Sequence, residues 1–149
     1  MLRQSLHTLE IPTSGEGFTD LTRVINREIA SSGLRTGLAS LACLHTSCSL
    51  TVNENADPRV LDDLATFLRL LVPAAGPWPM GHNAPKPWSH ADEGLDDMPA
   101  HVRTALTATS LSLSFQAQRL VLGTWQAVYL WEHRRRPHQR RLSLHLLGE

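Results

Sequence analysis

LSLSFQAQRLVLGTWQAVYLWE, the run from Leu111 to Glu132, alternates apolar with small or polar residues along most of its length. Period two is the mark of a chain laid on a sheet. Leu111, Leu113 and Phe115 alternate with serines, and the pattern resumes from Leu120 to Glu132. Leu142, Leu144 and Leu146 repeat it near the C-terminal end. Three such runs in succession predict a C-terminal antiparallel meander. Within it, Gln126, Val128, Leu130 and Glu132 share one face of an extended strand, and Trp125, Ala127, Tyr129 and Trp131 share the other. Apolar residues on both faces predict a central strand, with Gln126 and Glu132 buried or lining a pocket. A buried glutamate needs a partner. Arg140 or Arg141 can supply it, in a role that is either structural or catalytic.

Upstream, Ser5 to Ile11 reads as an opening strand that stops at Pro12. Leu21, Val24, Ile25 and Ile29 fall at helical spacing, with Thr19 or Asp20 as N-cap and Gly33 as C-terminal stop. Thr36 to Val52 carries no helical period and predicts two strands around the polar break His45-Thr46-Ser47. Asp57-Pro58 then gives a cap followed by proline at the first helical position. Val60, Leu61, Leu64, Phe67, Leu68 and Leu71 form the apolar stripe of that helix, which Pro73 ends. Pro73 to Met98 is a long proline-rich loop of the kind that is usually functional or disordered. Its second half is expected to be ordered, leading through Asp97 as a cap into a helix opened by Pro99. With no repeat and no linker, residues 1–149 are expected to form one α+β domain, a mostly antiparallel sheet with helices on one face.

Composition bounds the function. Apolar residues make up 42% of the 149 and charged ones 19%, which is a globular balance. Zero formal net charge removes the field expected of a general nucleic-acid or membrane-surface binder. Lys86 is the only lysine, so arginine carries nearly all the positive charge. Cys43 and Cys48 fit neither a disulfide framework nor a C-x-x-C site, and both are read as reduced and structural. No secretory leader or membrane span is visible, which predicts a cytoplasmic location.

Polar residues concentrate in three segments. His45-Thr46-Ser47 through Asn53-Glu54-Asn55-Ala56-Asp57 leads from a strand edge into a helix N-terminus, where free N–H groups and the dipole favour anions. Asn55 and Asp57 can equally serve only to cap the helix and turn the chain. His90 through His101, with Asp92, Glu93, Asp96 and Asp97 between them, holds N and O donors for a divalent metal or an acid–base pair. The plainer reading of this segment is a solvated acidic loop. Gly123-Thr124-Trp125-Gln126 through Glu132 is the third segment, followed from His133 to His138 by what reads as a solvated hairpin tip. Gly-rich phosphate loops, a G-x-S-x-G elbow and a Rossmann fingerprint are all absent, and no organic cofactor is predicted.

These same blocks carry a resemblance. His45-Thr-Ser-Cys-Ser-Leu-Thr-Val-Asn53-Glu-Asn55-Ala-Asp57-Pro58, His90 with Glu93-Gly94, Asp96-Asp97-Met-Pro-Ala-His101, Leu122-Gly-Thr-Trp125-Gln126 with Glu132, and the closing Leu-Gly-Glu149 together resemble the YjbQ-like family. The resemblance runs over nearly the whole chain. It implies an α+β fold, a homotrimer with pockets near the subunit contacts, and a secondary thiamine-phosphate-synthase activity joining a pyrimidine diphosphate to a thiazole phosphate. The chain departs from the family in a longer Pro73–Pro87 insert and in Gln116-Ala-Gln-Arg, which stands in place of a glycine-containing turn.

On this reading the protein is an enzyme acting on a small phosphorylated metabolite. His45, His90 and His101 are the expected holders of a divalent metal, zinc or magnesium. Asn53, Asn55, Gln126 and Arg141 bind the ligand, and Glu54, Asp97 or Glu132 move protons or orient histidine. The rival is a non-catalytic module that binds a small molecule or a metal. Neither nucleic acid nor a membrane is an expected partner.

Overall fold

A strand that is apolar on both faces must be covered on both faces, and that requirement organises the molecule. In the computed structural model, which describes residues 1–149, the order is β1 (Arg3–Pro12), β2 (Gly17–Asp20), α1 (Thr22–Ser32), β3 (Thr36–Cys43), β4 (Cys48–Glu54), α2 (Pro58–Leu71), α3 (Asp97–Leu106), β5 (Ser110–Gln116), β6 (Arg119–Leu120), β7 (Gln126–Glu132) and β8 (Gln139–Gly148). Two antiparallel sheets result, β1-β8-β3-β5-β6 and β2-β7-β4. β7 is the middle strand of the smaller sheet. Its Val128 and Leu130 enter a core of 17 buried residues together with Leu21, Ile25 and Ile29 of α1 and Leu142, Leu144 and Leu146 of β8. Its Tyr129 and Trp131 point the other way, where Phe18 stacks on Trp131 at 4.6 Å and meets Tyr129 edge-on. α2 and α3 pack against β4 of this sheet. α1 lies on the inner side of β7, so the three helices flank the small sheet from both sides.

The α+β class and the mostly antiparallel pairing hold. The meander does not, because β7 pairs with β2 and β4 while β8 lies between β1 and β3. The alternation from Leu120 is also interrupted. Gly123 and Gln126 form a tight turn in which Gln126 N donates to Gly123 O and Gly123 N donates to Gln126 Oε1. The two destinations have a physical basis. Strands with a serine-rich or polar face, such as β5, can leave that face in water, whereas β7 cannot.

The helix ends follow the local chemistry. Asp20 Oδ1 accepts from Thr22 N at 2.8 Å, and Gly33 closes α1 in the left-handed region at φ 73°. Asp57 accepts from Arg59 N at the start of α2. α3 begins at Asp97 rather than at Pro99, and the Asp97 side chain caps nothing because its oxygens are bound elsewhere. Between β5 and β6, Ala117 and Gln118 sit at φ 50° and 64°, so a two-residue hairpin turn is made without glycine. No helix is long and apolar enough to cross a membrane.

Candidate functional site

Asp97, in the first turn of α3, is buried while the residues it binds are not. Its Oδ2 lies 2.7 Å from His90 Nε2, on the loop before the helix, and 3.2 Å from His101 Nε2, one turn further along α3. Residues four apart on a helix share a face, which is what aligns Asp97 with His101. The side chains of His90 and His101 are 43% and 32% exposed against 3% for Asp97, so the imidazoles open outward from a buried carboxylate. From the far side, Arg134 Nη1 donates to Asp97 Oδ1, Arg134 Nε donates to Asp96 Oδ2 at 3.0 Å, and Arg135 N reaches the same oxygen at 2.9 Å. Burial works to raise the Asp97 carboxyl, but His90, Arg134 and His101 outweigh it and hold the group below the ordinary range. The Asp97 hydrogen bond in turn lifts His90 above the usual imidazole value.

The two imidazole nitrogens and the carboxylate oxygen lie within 4.8 Å of one another. Ligands in a tetrahedral zinc shell stand roughly 3.3–3.5 Å apart, so the donors need only small adjustments. Three protein donors leave a fourth position for water or substrate, the pattern of catalytic rather than structural zinc. Next to His90 is a small niche of about 150 Å³ walled by Trp88, Leu95, Met98 and Pro99. Trp88 is tied down by its indole N–H, which donates to Pro73 O at 3.3 Å.

Glu132 has a different setting. Its Oε2 accepts from Thr13 Oγ1 at 2.8 Å and from Arg140 Nε at 2.7 Å, and its Oε1 accepts from Arg134 N and Arg140 Nη2. Arg140 Nη2 also donates to Ser47 Oγ at 2.9 Å. Burial would raise this carboxyl, and the donors, led by Arg140, bring it below its ordinary value. Both groups of the pair are almost fully buried and every Glu132 oxygen is occupied. The candidate general base is therefore a structural ion pair, because it has no acceptor capacity left to offer a substrate.

The other predicted residues do not join the Asp97 centre within the chain. His45 Nε2 accepts from Arg141 N at 2.7 Å, so that nitrogen is taken up by backbone, and His45 is not among the residues that gather at Asp97. Burial, followed by Arg140 and Arg141, lowers its proton affinity. The Arg141 side chain is on the exposed face of β8. In the β4–β7 ladder, Cys48 opposes Glu132 and Glu54 opposes Gln126, which sets Glu54 and Gln126 roughly 20 Å from Glu132. At that distant end, Asn55 Nδ2 donates to Thr124 O and Gln126 O, and Asn53 Oδ1 accepts from Glu54 N. Gln126 is exposed rather than buried, and its side chain closes the Gly123 turn. The polar blocks thus form two groups at opposite ends of one short sheet.

Two residues read as part of a solvated tip turn out otherwise. Arg134 is the clamp on Asp97, and local sequence gives no sign of it. His133 is buried, bonds Ser49 Oγ through Nε2 at 2.8 Å, and burial followed by Arg103 pushes it down to about 3. The alternation of β7, continued by one residue, would have placed it inside. His133 lines a cavity of about 390 Å³ between α2 and the outer face of the small sheet, along with Phe18, Leu61, Arg69, Arg103 and Trp131.

Fold and site together define a small antiparallel α+β protein with a half-open carboxylate–histidine centre. The chain belongs to the UPF0047 protein YjbQ-like family, whose model matches residues 7–149. It is 47% identical over 147 residues to the UPF0047 protein sll1880 of Synechocystis sp., covering 99% of this chain and 94% of that one. Among solved structures, the conserved hypothetical protein TT1486 of Thermus thermophilus superimposes with a TM-score of 0.78 at 36% identity, covering 94% of this chain and 98% of that one. An uncharacterized conserved protein of the YjbQ/UPF0047 family from Clostridium acetobutylicum does so with a TM-score of 0.80 at 28% identity, over 94% of this chain and 98% of that one.

Proposed function

We propose that this protein is an enzyme that handles a small phosphorylated metabolite at a divalent-metal centre formed by His90, Asp97 and His101. The observation that carries the reading is the meeting of two imidazole nitrogens with a clamped, buried carboxylate whose open side faces solvent. A divalent cation held there, zinc or magnesium, would neutralise phosphate charge and activate a bound oxygen. The protein's own part is positioning. Arg134 fixes one Asp97 oxygen so that the other is directed at both imidazoles. The niche beside His90 offers an apolar wall to the non-phosphate part of the substrate.

The thiamine-phosphate-synthase reaction remains the specific chemistry that the family resemblance suggests. Its substrates are phosphorylated heterocycles, which suit a cationic centre beside an apolar niche. A cytoplasmic setting and a homotrimer belong to the same reading. In favour of assembly, the outer face of the five-stranded sheet leaves Leu6, Leu38 and Leu147 substantially exposed, so apolar surface is available for a second copy.

Elemental analysis of the purified protein tests the centre. Near-stoichiometric zinc or a similar ion is expected, lost in His90→Ala and in His101→Ala; unchanged content in both variants would eliminate this ligand set. Turnover is a separate question. A phosphorylated-metabolite panel read by thermal shift and then by mass spectrometry divides an enzyme, which yields product, from a binding module, which only gains stability.

A further inference from the structure

We infer that Cys43 and Cys48 form a reversible dithiol–disulfide site that a low-molecular-weight disulfide closes. Cys43 ends β3, in the five-stranded sheet, and Cys48 begins β4, in the three-stranded one. The corner between the sheets brings their sulfurs to 3.0 Å while both are free thiols. A disulfide is about 2.05 Å long, so closure asks for a movement of roughly 1 Å. Sequence spacing carries no hint of this. The contact depends on the chain leaving one sheet and entering the other within four residues, Leu44 to Ser47.

The two sulfurs differ in access, which sets the order of events. Cys43 is half-buried, whereas Cys48 is completely covered. The Cys43 thiolate attacks one sulfur of the small disulfide, forming a mixed disulfide and releasing one small thiolate. Cys48 then gives up its proton, which the released thiolate takes, and its sulfur attacks Cys43 Sγ. The mixed bond breaks, the Cys43–Cys48 bond forms, and the second half of the small disulfide departs as a thiolate, which takes up from water the proton that Cys43 gave to water on ionising. Two protein thiols are oxidised and one disulfide is reduced to two thiols, so atoms and electrons balance. A covered Cys48 touching Cys43 is placed to perform only the second step.

The bond would close a ring over Leu44-His45-Thr46-Ser47 and join the sheets covalently at one corner. That corner already matters to the fold. Ser47 O accepts from His133 N and from Arg140 Nη2, each at 3.3 Å, and His45 accepts from Arg141 N. Closure therefore ties a covalent joint to the segment that seats the buried Glu132–Arg140 pair. The inference is independent of the metal reading, since neither cysteine touches His90, Asp97 or His101.

The test treats the purified full chain with oxidised glutathione and reads intact mass, free thiols and tryptic peptides. Both cysteines lie in one peptide, Thr36 to Arg59. Expected are loss of both thiols, a mass decrease of two hydrogens with no glutathione retained, and reversal by dithiothreitol. Cys48→Ser should trap one glutathione on Cys43, and Cys43→Ser should take up none. The melting midpoint of the oxidised wild type should rise by roughly 5 °C, as expected for a short closed loop. Retention of either thiol, a stable glutathione adduct on the wild type, or a cross-linked dimer would each overturn the assignment. Should either variant fail to fold, the mass of the wild-type peptide alone decides.

Discussion

Glu132 and Asp97 are both buried carboxylates gripped by arginine, yet one is finished and the other is not. All four acceptor positions used by Glu132 are filled from inside the chain, by Thr13, Arg140 and the Arg134 backbone. Asp97 gives one oxygen to Arg134 and shares the other between two imidazoles that face water. Burial, charge and proximity to arginine are alike in the two places and so do not mark a site. Unspent coordination directed at solvent does. The associated histidines diverge in the same way, with His133 of the enclosed region driven down and His90 of the open one driven up.

The sharpest way to break this contrast is to remove one partner from each centre. Glu132→Ala strands the Arg140 guanidinium without compensation and should cost about 3–5 kcal/mol in urea unfolding. If the loss is under about 1 kcal/mol, the pair is not the closed structural element described above. The enclosed histidine should govern the acid side of the stability curve. His133 stays neutral in the fold down to about 3, while in the unfolded chain it protonates near its ordinary value. Below about pH 6.5 the unfolded state thus binds the extra proton, and stability should fall by about 1.4 kcal/mol per pH unit. His133→Gln should flatten that arm between about pH 6.5 and 4.5.

Asp97→Asn should cost less, about 1–3 kcal/mol from weakened hydrogen bonds to Arg134 and the imidazoles, while abolishing metal uptake. A variant that unfolds as easily as Glu132→Ala would erase the distinction. The smallest effect should be at His90, where His90→Ala leaves the melting curve of the metal-free protein unchanged within error once the pH is above the raised His90 value. Because Asp97 raises its proton affinity, the stabilisation from this contact is present below pH 6.5 and disappears as pH rises through the raised value. An NMR titration of metal-free protein should place the His90 midpoint above 6.5 and return it there in Asp97→Asn.

Much of the local structure was readable from neighbouring residues. Leu21 to Ile29 closed by Gly33, Asp57-Pro58 opening α2, and the break at His45-Thr46-Ser47 all rest on interactions within a few positions, and all are present. His90, Asp97 and His101 were legible only as polar residues of one segment: the sequence groups His45 with the two histidines and suggests Asp97 as the cap of a helix opened by Pro99, whereas Asp97 lies within the first turn and faces His101 one turn on. What escaped was decided by partners distant in sequence. Alternation in β7 and β8 shows that each is a strand but not that they belong to different sheets. Nothing near Arg134 reveals a carboxylate 37 positions away, and nothing between Cys43 and Cys48 shows that their sulfurs meet.

The hairpin at Ala117 and Gln118 has a consequence for how the chain assembles. Neither residue favours a left-handed backbone, so the turn has little intrinsic tendency to close. It is held from outside, by Gln118 N donating to Arg35 O and Leu120 N donating to Asn26 Oδ1. Those acceptors come from the middle of α1 and the chain just after its end, some ninety positions earlier for Asn26 and Leu120. A turn that borrows its closure from a remote part of the chain forms after that part is in place, which makes this edge of the large sheet a late event in folding rather than a nucleus.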